Sequence, residues 1–339
     1  MYKRPILLGI TFCFIILMFL AFAFGYYAVT PRDRSAGQTV FVVKSGSSLG
    51  QIASDLQKRG FINNSYFFML WGKILGYSKK VKSGEYRISA SMPPIHILAL
   101  LAKGAVITHT ITIPEGYTMA QIARLLEKKG IVRPQDFLRV CHEPSIIKKY
   151  ELTEDSLEGY LYPDSYEFSR GLSAEKVVDV MVRRFRQMVE PYNQRMKELG
   201  MTLHEVVTLA SIVEKETGLA SERPLIASVF LNRLKRNMRL ESDPTVIYGL
   251  EHFNGNLTRK DLARRTPYNT YVIKGLPPGP IANPGLESIK AVLYPADTQF
   301  LYFVSKNDGS HFFSTTLAQH NQAVARYQKH RRYKAKKRP

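Results

Sequence analysis

Two carboxylates lie two residues apart near the end of an apolar stretch, in Ala210-Ser211-Ile212-Val213-Glu214-Lys215-Glu216-Thr217. Polar segments with aromatic residues follow it: Ser242-Asp243-Pro244-Thr245-Val246-Ile247-Tyr248, Tyr268-Asn269-Thr270-Tyr271 and Gly275-Leu276-Pro277-Pro278-Gly279. A carboxyl group at a helix end can move a proton. Loops of Asn, Thr and Tyr can hydrogen-bond a glycan and stack on it. Two residues along a helix of about 3.6 residues per turn point to roughly opposite sides. Glu214 and Glu216 therefore cannot form a close acid/base pair, and helical geometry alone leaves either one as the reactive group. The other would be structural, with Lys215, Arg223 or Arg233 as partner.

The element that positions them reads as a core helix. Thr202 with Glu205 three residues on is a capping box. Leu203, Val206, Val207, Leu209, Ala210, Ile212 and Val213 form a wide apolar face, and Gly218 marks the end. Asp243 and Pro244 read as the N-cap and first residue of another helix. The Tyr268–Tyr271 segment reads as a loop, Leu276–Gly285 as a rigid extended cleft wall, and Phe300–Ser314 as a hairpin turning at Asn307-Asp308-Gly309. Ala174–Leu199 reads as one long basic amphipathic helix. His311 and His320 lack metal-ligand spacing and read as structural or surface residues.

Four motifs in one order, from Glu214-Lys215-Glu216 to Leu276-Pro277-Pro278-Gly279, resemble those of the YceG-like (MltG) endolytic murein transglycosylases. The resemblance covers most of the chain beyond the first apolar segment. It implies cleavage of the MurNAc–GlcNAc β-1,4 bond of nascent peptidoglycan, leaving 1,6-anhydroMurNAc ends without consuming water. Lysozyme-like lytic transglycosylases carry a catalytic Glu followed by Ser at a helix end. Glu216-Thr217 matches that pattern with the hydroxyl kept, so the resemblance assigns Glu216 as the catalytic acid. It also implies substrate contacts from Tyr268, Asn269, Thr270, Tyr271, Asp243 and Thr245. Peptidoglycan strands are the expected substrate, peptidoglycan synthases expected partners, and no cofactor or metal is expected. The alternative is a non-catalytic peptidoglycan-binding scaffold for synthesis enzymes.

The remaining features fit this setting. Ile6 to Val29 carries no charge and is long enough to span a bilayer, which takes about 20 residues. Lys3 and Arg4 before it favour a cytoplasmic N-terminus. Ala21-Phe22-Ala23 has the form of a signal-peptidase site, but the apolar run exceeds a signal core of about 7–15 residues and continues past it. The segment reads as an uncleaved single-pass anchor in a bacterial inner membrane, with the rest in the periplasm. The chain of 339 residues has a net charge of +20, and seven Lys or Arg fall in Lys329–Pro339. Such charge seeks an anionic partner. Nucleic acid is excluded by the anchor and by the lack of zinc-finger or RNA-binding signatures. Two cysteines, Cys13 and Cys141, rule out a disulfide framework.

A repeat follows the anchor. Val43–Gly60 aligns with Ile113–Gly130 at a constant offset of seventy residues, keeping Gly, Gln-Ile-Ala, Leu, Lys and Gly in register. Each copy reads as a short alternating strand (Val40, Val42; Ile111, Ile113), a glycine turn, and a helix capped by Ser47 or Ser48, or by Thr118. The first copy continues to Gly104 through a strand at Ser83–Ile88 and resembles a LysM-like glycan-binding unit. Leu157–Tyr166, rich in tyrosine, reads either as part of the glycan cleft or as a surface loop.

The expected class is α+β: a transmembrane helix, a small LysM-like α/β subdomain and a larger mixed catalytic domain with a lysozyme-like catalytic helix. The expected segments are 1–5 (cytoplasmic), 6–29 (membrane), 38–104 (LysM-like), 108–328 (catalytic) and 329–339 (basic tail).

Overall fold

The computed structural model describes residues 3–329. The expected basic tail beyond Lys329 lies outside the described residues. The chain is mixed α+β and forms two compact units. One comprises residues 1–110, 130–132 and 167–173, and the other 111–129, 133–166 and 174–339.

The first unit begins with α1 (Lys3–Val29), whose Thr11–Val29 portion is apolar and long enough to cross a membrane. Then come β1 (Thr39–Val43), α2 (Leu49–Lys58), α3 (Ser65–Ile74), β2 (Gly84–Ile88) and α4 (Pro94–Lys103). β1 and β2 pair antiparallel with Phe41 opposite Tyr86. The core collects Phe41, Leu56, Phe68, Tyr86, Ile97 and Leu101. Phe41 and Val43 face inward, while Val40 and Val42 lie outside, 50% and 37% exposed. The expected apolar face of this strand was thus one residue out of register. Both faces of Thr39–Val43 are apolar, so alternation could not choose; the seventy-residue repeat, which aligns Val43 with Ile113, points to the correct face.

β3 (His109–Thr112) and α5 (Met119–Lys128) open the second copy, followed by α6 (Pro134–Cys141), α7 (Pro144–Lys149) and β4 (Ser165–Phe168). β3 pairs with β4, as β1 pairs with β2. The correspondence extends to single atoms. Ser48 and Thr118 each accept a hydrogen bond from the N–H three residues on, and Gln51 and Gln121 return the bond. The closing glycines, Gly60 and Gly130, sit at φ +82° and +69°, where a side chain would be strained.

The rest of the second unit is helical: α8 (Ala174–Val189), α9 (Asn193–Leu199), α10 (Leu203–Glu216), α11 (Arg223–Lys235), α12 (Asp243–Tyr248), α13 (Arg259–Leu262) and α14 (Leu286–Leu293). The hairpin β5 (Tyr302–Ser305) and β6 (His311–Ser314) and helix α15 (Leu317–Val324) complete it. The expected single helix over 174–199 is two, joined by a 3₁₀ turn at Glu190–Tyr192. Pro191 has no N–H to continue the α ladder, which breaks it there.

α10 is the centre of this unit and packs on α11 and α14. Its Thr202–Glu205 capping box is formed. Val206, Val207, Leu209, Ala210, Ile212 and Val213 are wholly buried. The β-branched members each give up a few tenths of a kcal/mol in helix propensity, but burial returns about 1.5–3 kcal/mol per large side chain, so packing decides. The helix ends because Thr217 turns extended at φ −141°; Gly218, expected to stop it, is not left-handed.

Candidate active site

Glu214 and Glu216 leave the end of α10 in different directions. Glu214 is held by protein. Its oxygens accept from Arg223 (3.3 Å), from the Gly285 N–H (3.1 Å) and from the Ser288 hydroxyl (2.6 Å). All four ends of this arrangement are helix ends or loops of the core, so Glu214 ties α10 to α11 and α14.

Glu216 opens on a cavity of about 430 Å³ that Asp243, Glu241, Arg233, Tyr271, His311 and His320 also line. The Ser242 hydroxyl donates to Glu216 Oε1 at 2.5 Å. Burial pushes the Glu216 pKa up to about 7. The nearby Asp243 carboxylate pushes the same way, while the Ser242 hydrogen bond and Arg233 oppose. A carboxylic acid so placed keeps about half of its population protonated at neutrality and can donate that proton.

The neighbours are fixed. Arg233 is buried and donates to the carbonyls of Leu301 (2.7 Å) and Leu240 (2.9 Å) and to Glu241 (3.1 Å). Tyr271 donates its hydroxyl to Asp243 at 2.7 Å. Burial and the Asp243 contact raise the Tyr271 pKa, so the phenol stays neutral. His311 Nδ1 meets Glu222 at 2.7 Å, and its backbone N–H donates to the same carboxylate at 2.9 Å. His320 has its pKa lowered by burial and by Arg233.

The expected contact residues separate into three groups. Asp243 and Tyr271 face the Glu216 cavity. Thr245, Asn269 and Thr270 are completely buried. Asn269 donates to the carbonyls of Arg264 (2.7 Å) and Leu262 (3.0 Å) and accepts from the Tyr271 N–H (2.9 Å), which makes it the clamp of its own turn. Thr270 Oγ1 accepts from the Ser242 N–H at 3.0 Å and pairs with Thr245 Oγ1 at 2.8 Å. These side chains have no free face for a sugar; they hold Ser242 against Glu216. Tyr268 lies apart, packed on Tyr248 with centroids 4.8 Å apart, in a second groove with Pro278, Gly279 and Pro280.

Two further expectations change. Ser242, not Asp243, is the cap residue of α12, and its side chain makes no cap hydrogen bond because it is given to Glu216. Leu276–Gly285 does not line the Glu216 cavity. Its second half is buried, with the Ile281 N–H on Ser211 Oγ (3.0 Å) and Asn283 Oδ1 on the Leu161 N–H (2.8 Å). Asn283 takes this segment into the core, which extended proline-rich character alone does not reveal.

Comparison with known proteins agrees with this architecture. The model of the YceG-like family matches residues 41–326. The chain belongs to the YceG-like family. An endolytic murein transglycosylase of Bacillus subtilis is 34% identical over 324 residues, covering 91% of this chain and 90% of that one. A Streptococcus pneumoniae protein of the same name is 30% identical over 354 residues, covering 93% of this chain and 64% of its own. The crystal structure of a yceG-like protein from Listeria monocytogenes superposes with a TM-score of 0.59 at 35% identity, covering 85% of this chain and all of that one.

Several residues in and beyond the Glu216 cavity carry no clear signal in the sequence. Ser242 stands in the sequence only as the first residue of a motif, yet it contacts Glu216 directly. His311 and His320 line the cavity, although neither has informative neighbours in sequence. Glu158 is a second carboxyl whose pKa burial pushes up to about 7. It is 4% exposed. Its oxygens accept from the Met119 N–H (3.0 Å), Asn283 Nδ2 (2.9 Å) and Tyr248 OH (3.2 Å). Leu157–Pro163 is therefore a buried strut, not a surface loop. No local signal marks this, because its partners lie 39, 125 and 90 residues away.

Proposed function

We propose that the protein is an endolytic murein transglycosylase in which Glu216 alone supplies the proton transfers. The observation that carries this is Glu216 itself: a carboxyl at the end of a core helix, open to a polar cavity, with its pKa lifted to about 7. The relatives' printed activity supports the reaction class.

Glu216 in its acid form donates its proton to the glycosidic oxygen between MurNAc and GlcNAc. The C1–O bond breaks, and the MurNAc C6 hydroxyl attacks C1. Its proton passes to the carboxylate of Glu216, which regenerates the acid. One bond breaks, one forms, and no water is consumed. The Asp243 carboxylate, which accepts the Tyr271 hydroxyl, stabilises positive charge at C1. Tyr271 offers a face for a sugar ring. Thr245, Asn269 and Thr270 keep Ser242 in place, and Tyr268 extends sugar contact in its separate groove.

In this reading α1 is a single-pass anchor in the inner membrane, with the remainder in the periplasm. Residues 38–104 form a LysM-like glycan-binding unit and 108–328 the catalytic domain, with peptidoglycan synthases as partners. The test is digestion of purified murein in water labelled with heavy oxygen. Anhydro ends, one water lighter than lysozyme-type ends and free of label, are expected, and Glu216→Gln should give none. Labelled reducing ends would make the protein a hydrolase, with Asp243 as the base. No cleavage by the unsubstituted protein would leave a glycan-binding scaffold.

A further inference from the structure

The outer end of α1 is locked to α3. Trp71, the sole tryptophan of the chain, stacks on Phe24 with centroids 4.6 Å apart and 8° between planes. Its Nε1–H donates to the Phe24 carbonyl at 3.1 Å. Phe67 meets Phe24 and Tyr27 edge-on at 5.4 and 5.5 Å. The Tyr27 hydroxyl donates to the Asn64 carbonyl, just before α3, at 2.6 Å. One face of α3 is therefore consumed by α1.

The stripe beside it is apolar and uncovered. Tyr66 and Ile74 are 66% and 60% exposed, with half-buried Leu70 between them at helical spacing. From Phe61 to Gly84 the chain has four lysines, Lys73, Lys79, Lys80 and Lys82, and no acid. All four are exposed. An aromatic and aliphatic stripe beside a cluster of lysines is the pattern of a helix that lies in a membrane surface.

Length fixes the level. Crossing about 30 Å of hydrocarbon takes about 20 helical residues. Counted from Ile6, the first residue after Lys3, Arg4 and Pro5, that span ends near Gly25, and counted from Thr11 it ends at Val29, so Phe24 lies within about a turn and a half of the outer boundary. Phe24, and Trp71 stacked on it, then sit at the boundary where tryptophan and tyrosine concentrate.

We propose that α3 is a second membrane contact, lying along the bilayer surface where α1 emerges. Tyr66, Leu70 and Ile74 enter the zone between head groups and acyl chains, and the lysines meet anionic phosphates. This rests on reading α1 as membrane-spanning. Its consequence is that the first unit is held at a set height on the membrane rather than swinging on a tether.

The test uses the full-length chain in phosphatidylglycerol nanodiscs, with lipid brominated near the upper part of the acyl chain as quencher. Trp71→Phe preserves a ring on Phe24 and removes the native tryptophan. Ile74→Trp in that background then reports from the outer face of α3. Blue-shifted emission and loss of most of it to brominated lipid are expected, with the loss relieved by adding Tyr66→Glu. Trp71 in the unsubstituted chain should be quenched as well, which guards against misfolding of the variant. Disc-bound protein whose reporter at position 74 emits as in water, unquenched, overturns the docking of α3 and leaves the anchor intact. A chain that does not enter discs or float with vesicles overturns the anchor, and this contact with it.

Discussion

Glu216→Gln separates the cost of a buried carboxyl from its use. The folded-state pKa of Glu216 is raised from 4.5 to about 7. For a raised pKa, the stability contribution is whole below the unfolded value and is lost as pH rises through the folded one. At about 1.4 kcal/mol per pH unit, full ionisation costs about 3 kcal/mol. Glu216 faces an open cavity, so solvent screening brings this to about 1.5 kcal/mol. Gln has no charge to bury, and its Oε1 still accepts from Ser242. The variant should therefore match the parent near about pH 4 and exceed it near about pH 8.5, by about 3–6 °C in Tm for a unit of this size. Glu158 also has a pKa of about 7, but it is present in both proteins and cancels. Murein cleavage by the same variant should fall by about 10²–10⁴ or more, since Gln supplies no proton. Thermal unfolding of the full-length protein at the two pH values, alongside digestion of murein, measures both. A Tm difference independent of pH would show that Glu216 is not buried as an acid, and retained cleavage would move the acid elsewhere.

Other substitutions probe the supports. Ser242→Ala removes a donor that favours ionised Glu216, so the alkaline limb of the pH–rate profile should move up by about one pH unit or less; an unmoved limb would contradict the 2.5 Å contact. Glu214→Ala leaves Arg223 with Glu115 as its carboxylate partner but strips the Gly285 N–H and the Ser288 hydroxyl of their acceptor, and should cost about 1–3 kcal/mol in denaturant unfolding. The activity of the folded fraction should be unchanged, and a specific loss of turnover would return Glu214 to the reaction. Gly159 has φ +89°, and a Cβ there would approach Pro280 Cγ to 2.5 Å and Val207 Cγ1 to 2.8 Å. Gly159→Ala should therefore cost about 2–4 kcal/mol or abolish soluble expression; a near-neutral Tm would refute the close packing of the Leu157–Pro163 strut on α10.

Local signals in the chain were legible wherever the physics is local. The helix caps at Ser48 and Thr118, the capping box at Thr202, the glycine stop at Gly60, and the Asn307–Gly309 hairpin turn each depend on residues within a few positions, and each is formed. The seventy-residue repeat returned as two strand–helix–helix units with paired strands. Where faces were ambiguous, as at Val40–Val43, or where a proline interrupted a helical pattern at Pro191, local reading gave the wrong face or too long a helix.

By itself, the sequence determined a long apolar helix, a repeated strand–helix unit, an apolar core helix ending in two acids, and the motif order of a YceG-like protein. Helical geometry alone could not tell those acids apart, because two residues of helix separate their directions without saying what waits on either side, and only the resemblance favoured Glu216. Tertiary structure shows the surroundings of each. Glu214 meets Arg223, Gly285 and Ser288 and is consumed, whereas Glu216 meets one hydroxyl and a cavity. The same holds for Asn269, Thr270 and Thr245. Their types suit a sugar, but folding turns them inward to hold Ser242. Burial and the partners found across long stretches of chain, rather than residue type, determine whether a polar group binds substrate or holds the site in place.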